Sequence, residues 1–421
     1  MGLTATKYKE TEVGLIPEDW DLVPLNKVFT FHSTSNYSKA QMSDDDEVGC
    51  IHYGLIHEIP DTQYNLKNGI KYYVSYDQAK YEIVRDGDVI MVDASEDLEG
   101  VNKSVEVCGI GNKKYISGLH TYLLRDTNGF LAENFRGILL NSQLVKNQML
   151  QLAVGMKVFG VSKTQLIKVK LPLPPTITEQ KAIARVITDT DALIQALEKK
   201  IAKKKLIKKG VMQKLLTPKE DWIESKVVSI GQPYGGLSGK TKADFSNGNA
   251  HYVPFMNVIS NPITDTGYLD SVNINKGESQ NKILKGDLLF NGSSETPEEL
   301  GFCSAVLEQI DNLHLNSFCF GFRILNTKQY DSLFLAYFFR SSLGRKFFYS
   351  LAQGATRYNL SKTNFLKSTL ALPIYEDQVE IASIIRDIDS EIENLEQKLS
   401  KYQLAKQGMM QQLLTGKIRL V

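Results

Sequence analysis

Apolar residues recur at spacings of three and four in two long stretches of the chain, a spacing that predicts two long amphipathic helices. The residues expected on the apolar stripes are Ile187, Ile194, Leu197 and Ile201 in the first stretch, and Ile385, Ile388, Ile392, Leu395 and Leu399 in the second. Lys204 and Lys208 interrupt the first stripe. Each stripe is too narrow to bury itself, so the two helices are predicted to pair as an antiparallel coiled coil.

The two stretches repeat one another. Gln180-Lys181-Ala182-Ile183-Ala184 corresponds to Gln378-Val379-Glu380-Ile381-Ala382, 198 positions later, and Gly210–Thr217 corresponds in the same way to Gly408–Thr415. The repeat continues outside the helices, because Ser162-Lys163-Thr164 corresponds to Ser361-Lys362-Thr363 at an offset of 199. The chain is therefore predicted to hold a pseudo-twofold internal repeat.

Between the helices, short apolar runs and helical spacings predict globular regions of mixed α and β structure. Val89–Val92 and Leu288–Phe290 follow Gly-Asp turns and have the character of buried strands. Phe130–Leu152 and Tyr330–Leu351 have helical spacing. The predicted fold is α+β, with globular regions at 1–175 and 218–374, the first long helix at 176–217, and the second long helix with the C-terminal tail at 375–421.

The composition of the chain says more about its cellular location and its partners than about its function. The net charge of +1 gives no overall attraction to nucleic acid or membrane, so anion binding must come from local clusters. No apolar run approaches the roughly 18 residues of a membrane span, and the N-terminus has no signal-peptide core. Four cysteines without a CxxC pair indicate buried thiols in a reducing cytosol. We therefore expect a cytoplasmic protein without a membrane partner and without a metal site.

Two loops carry the best candidates for base contact. Residues 154–163 and 353–362 share a glycine, a variable centre and Ser-Lys-Thr, and their cationic and aromatic side chains are Lys157, Lys163, Arg357, Tyr358 and Lys362. A cation beside an aromatic ring suits contact with base edges combined with stacking. A structural turn with one exposed cation is an equally compatible interpretation.

Gly235–Thr241 approaches a phosphate-binding loop, but only three residues separate Gly235 from Gly239-Lys240-Thr241, where four are required. We predict instead a polar loop with Lys240 and Lys242 placed for phosphate contact. The lysine run from Lys199 to Lys209 is either a solvated helix face or a surface for phosphates or an acidic partner.

These segments together resemble the specificity subunit of type I restriction-modification systems. The resemblance rests on Ile16–Trp20, Leu171–Pro175 leading to Glu179–Ala184, and Gly210–Thr217, together with their second copies, and it extends over essentially the whole chain. It implies two target-recognition domains, an antiparallel pair of central helices and no catalytic activity. It also implies double-stranded DNA, two methyltransferase subunits and, in some complexes, restriction subunits as partners. S-adenosylmethionine, ATP and Mg would belong to those partners, and the chain itself would hold no cofactor.

The two globular regions are mostly dissimilar, although the helices that join them match. If these regions read DNA, they should read different sequences, and the predicted DNA site is then bipartite and asymmetric, with an unspecified gap. A helix of about 38 residues is roughly 57 Å long, which corresponds to about 17 base pairs of B-DNA. Three alternatives remain: a recognition subunit of a methyltransferase-only or fused type II-like system, a coiled-coil adaptor that does not contact DNA, and an enzyme that uses Gly235–Thr241 or an acidic cluster. The sequence of either half-site is not predicted.

Overall fold

A computed structural model describes residues 7–98 and 100–420, so the first six residues of the predicted N-terminal segment lie outside the described part. The chain forms two compact units. The first unit contains residues 1–198 and 397–421, and the second contains residues 199–396. Each unit therefore combines one globular region with part of both long helices. Within the described residues, no helix is long and apolar enough to cross a membrane.

The strands of the first unit are β1 Tyr8–Thr11, β2 Gly14–Pro17, β3 Asp21–Pro24, β4 Thr30–His32, β5 Val48–Ile51, β6 Gln63–Asn65, β7 Tyr73–Val74, β8 Val89–Val92, β9 Ala94–Ser95, β10 Ser104–Cys108, β11 Lys114–Ser117, β12 Thr121–Arg125, β13 Phe159–Gly160 and β14 Lys170–Leu173. The helices of this unit are α1 Leu25–Val28, α2 Tyr53–Glu58, α3 Arg136–Leu140, α4 Gln143–Leu152 and α5 Lys163–Leu166, with a 3-10 turn at Lys39–Gln41. The unit is built around a five-stranded sheet in the order β4-β12-β8-β10-β6, in which only the β10–β6 pair is parallel. A three-stranded sheet, β11-β5-β7, packs beside it.

The strands of the second unit are β15 Ile223–Lys226, β16 Gly231–Gly235, β17 Phe245–Val253, β18 Asp270–Val272, β19 Leu288–Asn291, β20 Ser293–Ser294, β21 Cys303–Ala305, β22 Leu313–Leu315, β23 Cys319–Ile324, β24 Ala352–Gln353, β25 Tyr358–Leu360 and β26 Thr369–Leu372. This unit repeats the plan of the first with a four-stranded antiparallel sheet in the order β16-β23-β19-β21. The long helices are α6 Ile177–Leu215 and α12 Tyr375–Leu413, and the shorter helices of this unit are α7 Val227–Ile230, α8 Phe255–Ser260, α9 Ser332–Arg340, α10 Ser342–Leu351 and α11 Lys362–Lys367, with 3-10 turns at Lys242–Asp244 and Pro297–Glu299.

The central strand of each sheet is buried on both faces. In β8, Val89 and Met91 join one apolar cluster while Ile90 and Val92 join another, because side chains alternate between the faces of a strand. In β19, Leu288 and Phe290 lie in one cluster and Leu289 in another. This explains why these segments are continuous apolar runs in the sequence.

The aspartates of the two Gly-Asp turns hold the sheets through matching ion pairs. The Arg125 guanidinium donates to Asp88 Oδ2 over 2.7 Å, and that of Arg323 donates to Asp287 Oδ2 over 2.8 Å. Both aspartate side chains are 2% exposed, so each carboxylate needs its arginine.

Helix pairing is antiparallel within each unit. In the first unit, Ile187 packs in one core with Leu413 and Leu414, and four residues further along α6, Asp191 pairs with Lys406. In the second unit, Ile385 packs in one core with Leu216 and the Asp389 carboxylate pairs with Lys208. The predicted α+β class with two mixed regions and two antiparallel long helices is confirmed.

The two lysines that interrupt the apolar stripe bind carboxylates of the other helix. Lys204 Nζ lies 2.6 Å from Glu391 Oε2, and Lys208 pairs with Asp389. Of the residues predicted for helix pairing, those that are buried are Ile187, Ile194, Leu197, Ile201, Ile385 and Ile392, and those that are half-buried are Ile388, Leu395 and Leu399.

A buried glutamine fastens the start of each long helix. Gln180 Oε1 accepts the Ala132 backbone N–H over 2.8 Å, and Gln378 Oε1 accepts that of Asp331 over 2.9 Å. The amide nitrogens also correspond, since each donates to the backbone carbonyl of the proline before its helix, Pro174 or Pro373. These bonds explain why the repeated segment contains glutamine at this position.

Candidate nucleic-acid interface

A short hairpin projects beside a two-residue strand in each unit. In the first unit, Val154 bridges to Gly160 and β13 pairs with β9. In the second unit, β24 and β25 form the hairpin and β25 pairs with β20. The two hairpins correspond to the loops that sequence analysis selected.

Glycine is required at the turn of both hairpins. The φ angles of Gly155 and Gly354 are 155° and 128°, in the region that favours glycine. A Cβ atom would lie 1.9 Å from the Val158 carbonyl oxygen in the first turn and 2.2 Å from that of Arg357 in the second. The backbone of the two turns is therefore shared, and only the side chains at the tips differ.

The tips are exposed and chemically unlike. In the first hairpin Met156 is 95% exposed and Val158 is 55% exposed, with an exposed Lys157 between them. In the second hairpin Arg357 is exposed, and its guanidinium carbon lies 5.6 Å from the ring centre of Phe318, which is itself 55% exposed. Tyr358 is half-buried on β25 opposite Ser294.

Lys163 and Lys362 occupy the same place in the two units. Each is the exposed first residue of a short helix that is capped by the preceding serine. Lys163 Nζ lies 4.8 Å from the Phe31 ring centre, and Lys362 Nζ lies 5.1 Å from that of Phe320. A cation held over an aromatic face keeps its position while its charge remains available to an anion.

The structure weighs against Lys240 as a phosphate contact. Its side chain is only 4% exposed, and its ammonium donates to Glu278 Oε2 and to the Asn273 carbonyl, both over 2.6 Å. The Lys240 ammonium, together with hydrogen bonds from Gln280 and the Asn275 backbone N–H, lowers the pKa of Glu278 to about 2. No α-helix follows Gly235–Thr241, since a three-residue 3-10 turn begins at Lys242, so the segment is not a nucleotide-binding loop. Lys242 itself is exposed.

Part of the lysine run serves the fold. Lys204, Lys205 and Lys208 pair with Glu391, Glu396 and Asp389 of α12. The charges of all three are matched within the second unit. Lys204 and Lys208 are half-buried, whereas Lys205, with a side chain that is 59% exposed, fits the interpretation of a solvated helix face. Lys199, Lys200, Lys203 and Lys209 are exposed.

The first unit also has a cleft that sequence reasoning missed. It measures about 540 Å³ and is lined by Tyr53, His57, residues 94–97, His120 and Val158 of the hairpin tip. The Asp93 carboxylate accepts a hydrogen bond from Nδ1 of His120 over 3.2 Å. The Tyr53 ring meets the His120 ring edge to face at 5.4 Å. No sequence motif predicts this cleft, because its lining residues come from four separate segments of the chain.

Burial shifts the pKa values of two ionisable groups around the cleft. It raises the pKa of Asp93, and the neighbouring His120 opposes that rise. Burial also lowers the pKa of His57, with Lys103 acting in the same direction. No group of three or more metal-ligating side chains is found among residues 7–98 and 100–420.

Comparisons with known proteins identify the same family over nearly the whole chain. The family described as type I restriction modification DNA specificity domain matches twice, at residues 17–206 and 219–401. The MjaVIII type I restriction enzyme specificity subunit of Methanocaldococcus jannaschii is 25% identical over 434 residues, which cover 98% of this chain and 96% of that protein. A second protein of that organism, named for the MjaX specificity subunit, is 26% identical over 450 residues, covering 98% and 97%.

Solved structures share the fold at low sequence identity. The S subunit of a type I restriction-modification system from M. genitalium has a TM-score of 0.58 at 13% identity, with 97% of this chain and 99% of that chain covered. A chain from a study of complex assembly in the type I R-M system has a TM-score of 0.55 at 13% identity, with coverage of 96% and 99%.

Proposed function

Because this chain belongs to the type I restriction modification DNA specificity family, with two target-recognition regions, we propose that each unit reads one half of a bipartite, asymmetric DNA site. The chain itself would be non-catalytic. S-adenosylmethionine, ATP and Mg would be bound by its partner subunits, as the resemblance implies.

One observation carries this proposal: the two units present the same hairpin backbone with different side chains at its tip. The glycines that close the turns and the serine-capped lysines behind them are common to both. The tips carry Met156-Lys157-Val158 in one unit and Ala355-Thr356-Arg357 in the other. Two regions that recognise different DNA sequences are expected to share a backbone and to differ in the side chains at its tip.

Constant and variable cations would then have different tasks. Lys163 and Lys362 would contact phosphates, because they are identical in the two units and a phosphate carries no sequence information. Lys157 and Arg357 would approach base edges, since they stand on the tips that differ. Tyr358 and Lys242 remain predicted contacts, whereas Lys240 is left out of the proposal because Glu278 neutralises it.

The long helices would dock methyltransferase subunits. Leu206 on α6 is 70% exposed, and Leu404 on α12, its counterpart 198 positions later, is 66% exposed. Large apolar side chains at repeated exposed positions suit two copies of one partner. Restriction subunits would join the same assembly in a complete system, whereas a methyltransferase-only or fused system would lack separate ones.

The experiment is co-purification followed by DNA protection. The full chain is expressed with its methyltransferase partner, and methylated adenines are mapped in the host genome. The proposal expects a stable complex and methylation at two unlike half-sites separated by a constant gap. A complex that forms but modifies or protects no particular sequence would favour the adaptor alternative instead.

A further inference from the structure

Two positions beside the hairpin tips correspond between the units although their residues are unrelated. Thr121, the first residue of β12, is paired with Val92 at the end of β8, and Cys319, the first residue of β23, is paired with Asn291 at the end of β19. The residues just before these strands, His120 and Phe318, are therefore equivalent.

Backbone hydrogen bonds support this equivalence. The N–H of Asp93, which follows β8, donates to the His120 carbonyl over 3.2 Å. The N–H of Gly292, which follows β19, donates to the Phe318 carbonyl over 3.1 Å. In the first unit His120 therefore has Asp93 as its neighbour, whereas in the second unit Phe318 has a glycine with no side chain.

Each of these residues shares its surroundings with the hairpin tip of its own unit. His120 and Val158 line the same cleft. Phe318 lies under the Arg357 guanidinium at 5.6 Å. Because Val158 and Arg357 are equivalent tip residues, each unit places one two-residue pair at the same location, His120 with Val158 or Phe318 with Arg357.

Resting on the function proposed above, we infer that these two pairs each read one base pair, an A·T pair in the first half-site and a G·C pair in the second. Arg357, whose guanidinium carbon lies 5.6 Å from the ring centre of Phe318, presents the donor fork that matches guanine O6 and N7. In the first unit, Nδ1 of His120 donates to the Asp93 carboxylate, so that Nε2 is the acceptor in the uncharged form of the imidazole.

That acceptor fits the first base pair to adenine. Nε2 accepts from the adenine N6 amino group, and it repels guanine, whose O6 and N7 are also acceptors. Cytosine offers an amino group as well, but the exposed Val158 adds an apolar contact that suits the thymine methyl group of an A·T pair. Asp93 acts as a positioning residue, since it fixes which ring nitrogen carries the proton.

The test is selection of bound duplexes from a randomised library by the full chain with its methyltransferase subunits. His120→Gly removes the ring and keeps a backbone that suits the φ of 55° at this position. It should lower the A·T preference at one position of one half-site by about tenfold to a hundredfold. Val158→Arg should move the preference at that position towards G·C, as Arg357 does in the other unit. Leu15→Arg, at a 61% exposed residue of the first unit outside the cleft lining, adds the same charge as a control and should change no preference.

The Asp93→Asn variant tests whether Asp93 positions the proton on the His120 ring or only supports the fold. An asparagine amide can either accept from Nδ1 or donate to it, so the ring proton is no longer fixed on Nδ1 and the preference for adenine over guanine should weaken while the protein still selects a site. A wild-type complex that selects a bipartite site, with His120→Gly and Asp93→Asn leaving every position unchanged, overturns this inference alone. A wild-type complex that selects no sequence overturns the proposed function and the inference with it.

Discussion

Replacing Lys406 with methionine tests how the helix pair of the first unit is held. Lys406 is 17% exposed and pairs with Asp191, which is 10% exposed, and it also lies 3.8 Å from Asp61. Methionine keeps most of the apolar length and removes the charge, so two poorly solvated carboxylates lose their cation.

The magnitude follows from this partial burial. Breaking a fully buried ion pair on one side costs about 3–5 kcal/mol, and an exposed pair contributes about 0–1 kcal/mol. For the intermediate burial here we expect a loss of about 2–3 kcal/mol in the free energy of unfolding. In a unit of this size that corresponds to a fall in Tm of about 4–12 °C.

The assay is thermal unfolding of the full chain, with Lys401→Met as the matched control. Lys401 is exposed on the same helix, so its replacement should change Tm by about 2 °C or less, in line with other surface changes. The double variant Asp191→Asn with Lys406→Met should be more stable than Lys406→Met alone, because the less exposed of the two unpaired carboxylates is gone. Equal losses for Lys406→Met and Lys401→Met would refute the reasoning.

The same pair gives a pH dependence. Burial raises the pKa of the Asp191 carboxyl and Lys406 opposes that rise. A raised pKa means that the folded state binds the proton more tightly, so the stabilising contribution of this group is present at low pH and lost as pH rises through the raised pKa. Removing the opposing cation strengthens this effect. The deficit of Lys406→Met should therefore shrink as pH falls towards the raised pKa of Asp191.

Three further predictions concern other parts of the chain. Gln180→Leu and Gln378→Leu should each lower the free energy of unfolding by about 1–3 kcal/mol, and denaturant unfolding measures the loss. Gln180→Leu leaves the buried Ala132 N–H without its acceptor, and Gln378→Leu does the same to the half-buried Asp331 N–H. Leu206→Glu with Leu404→Glu should reduce co-purification of the methyltransferase without changing Tm, whereas unchanged co-purification would count against these helix faces as docking sites. One heptad inserted into each long helix at matched places should lengthen the unspecified gap by about three base pairs, because seven helical residues add about 10.5 Å.

The arrangement of strands and long helices could be predicted from the sequence, because these elements leave regular patterns of apolar residues. The apolar runs at Val89–Val92 and Leu288–Phe290 are central strands, and the stripes on the long helices mark the faces that become buried. Repetition added information, since a residue kept in both halves, such as Gln180 and Gln378, proved to make the same bonds twice.

The candidate site was less predictable, because it depends on partners that are distant in the chain. Lys240 has the composition of a phosphate contact, but Glu278, 38 residues later, neutralises it. His120 lies in no recognisable sequence motif. Its inferred role depends on Asp93, to which its ring is hydrogen-bonded, and on Val158, which lines the same cleft. Such encounters between loops leave no periodic signal in one sequence.

The most direct test of the account is the base preference of Arg357→Ala, measured position by position in both half-sites with the full complex. Each unit is proposed to read its own half-site, so we expect the preference to relax by about tenfold or more at one position of one half-site, with the other half-site unchanged. The matched Lys362→Ala variant should weaken binding to all sequences and reduce its salt dependence. Relaxation of both half-sites together by Arg357→Ala would contradict the account.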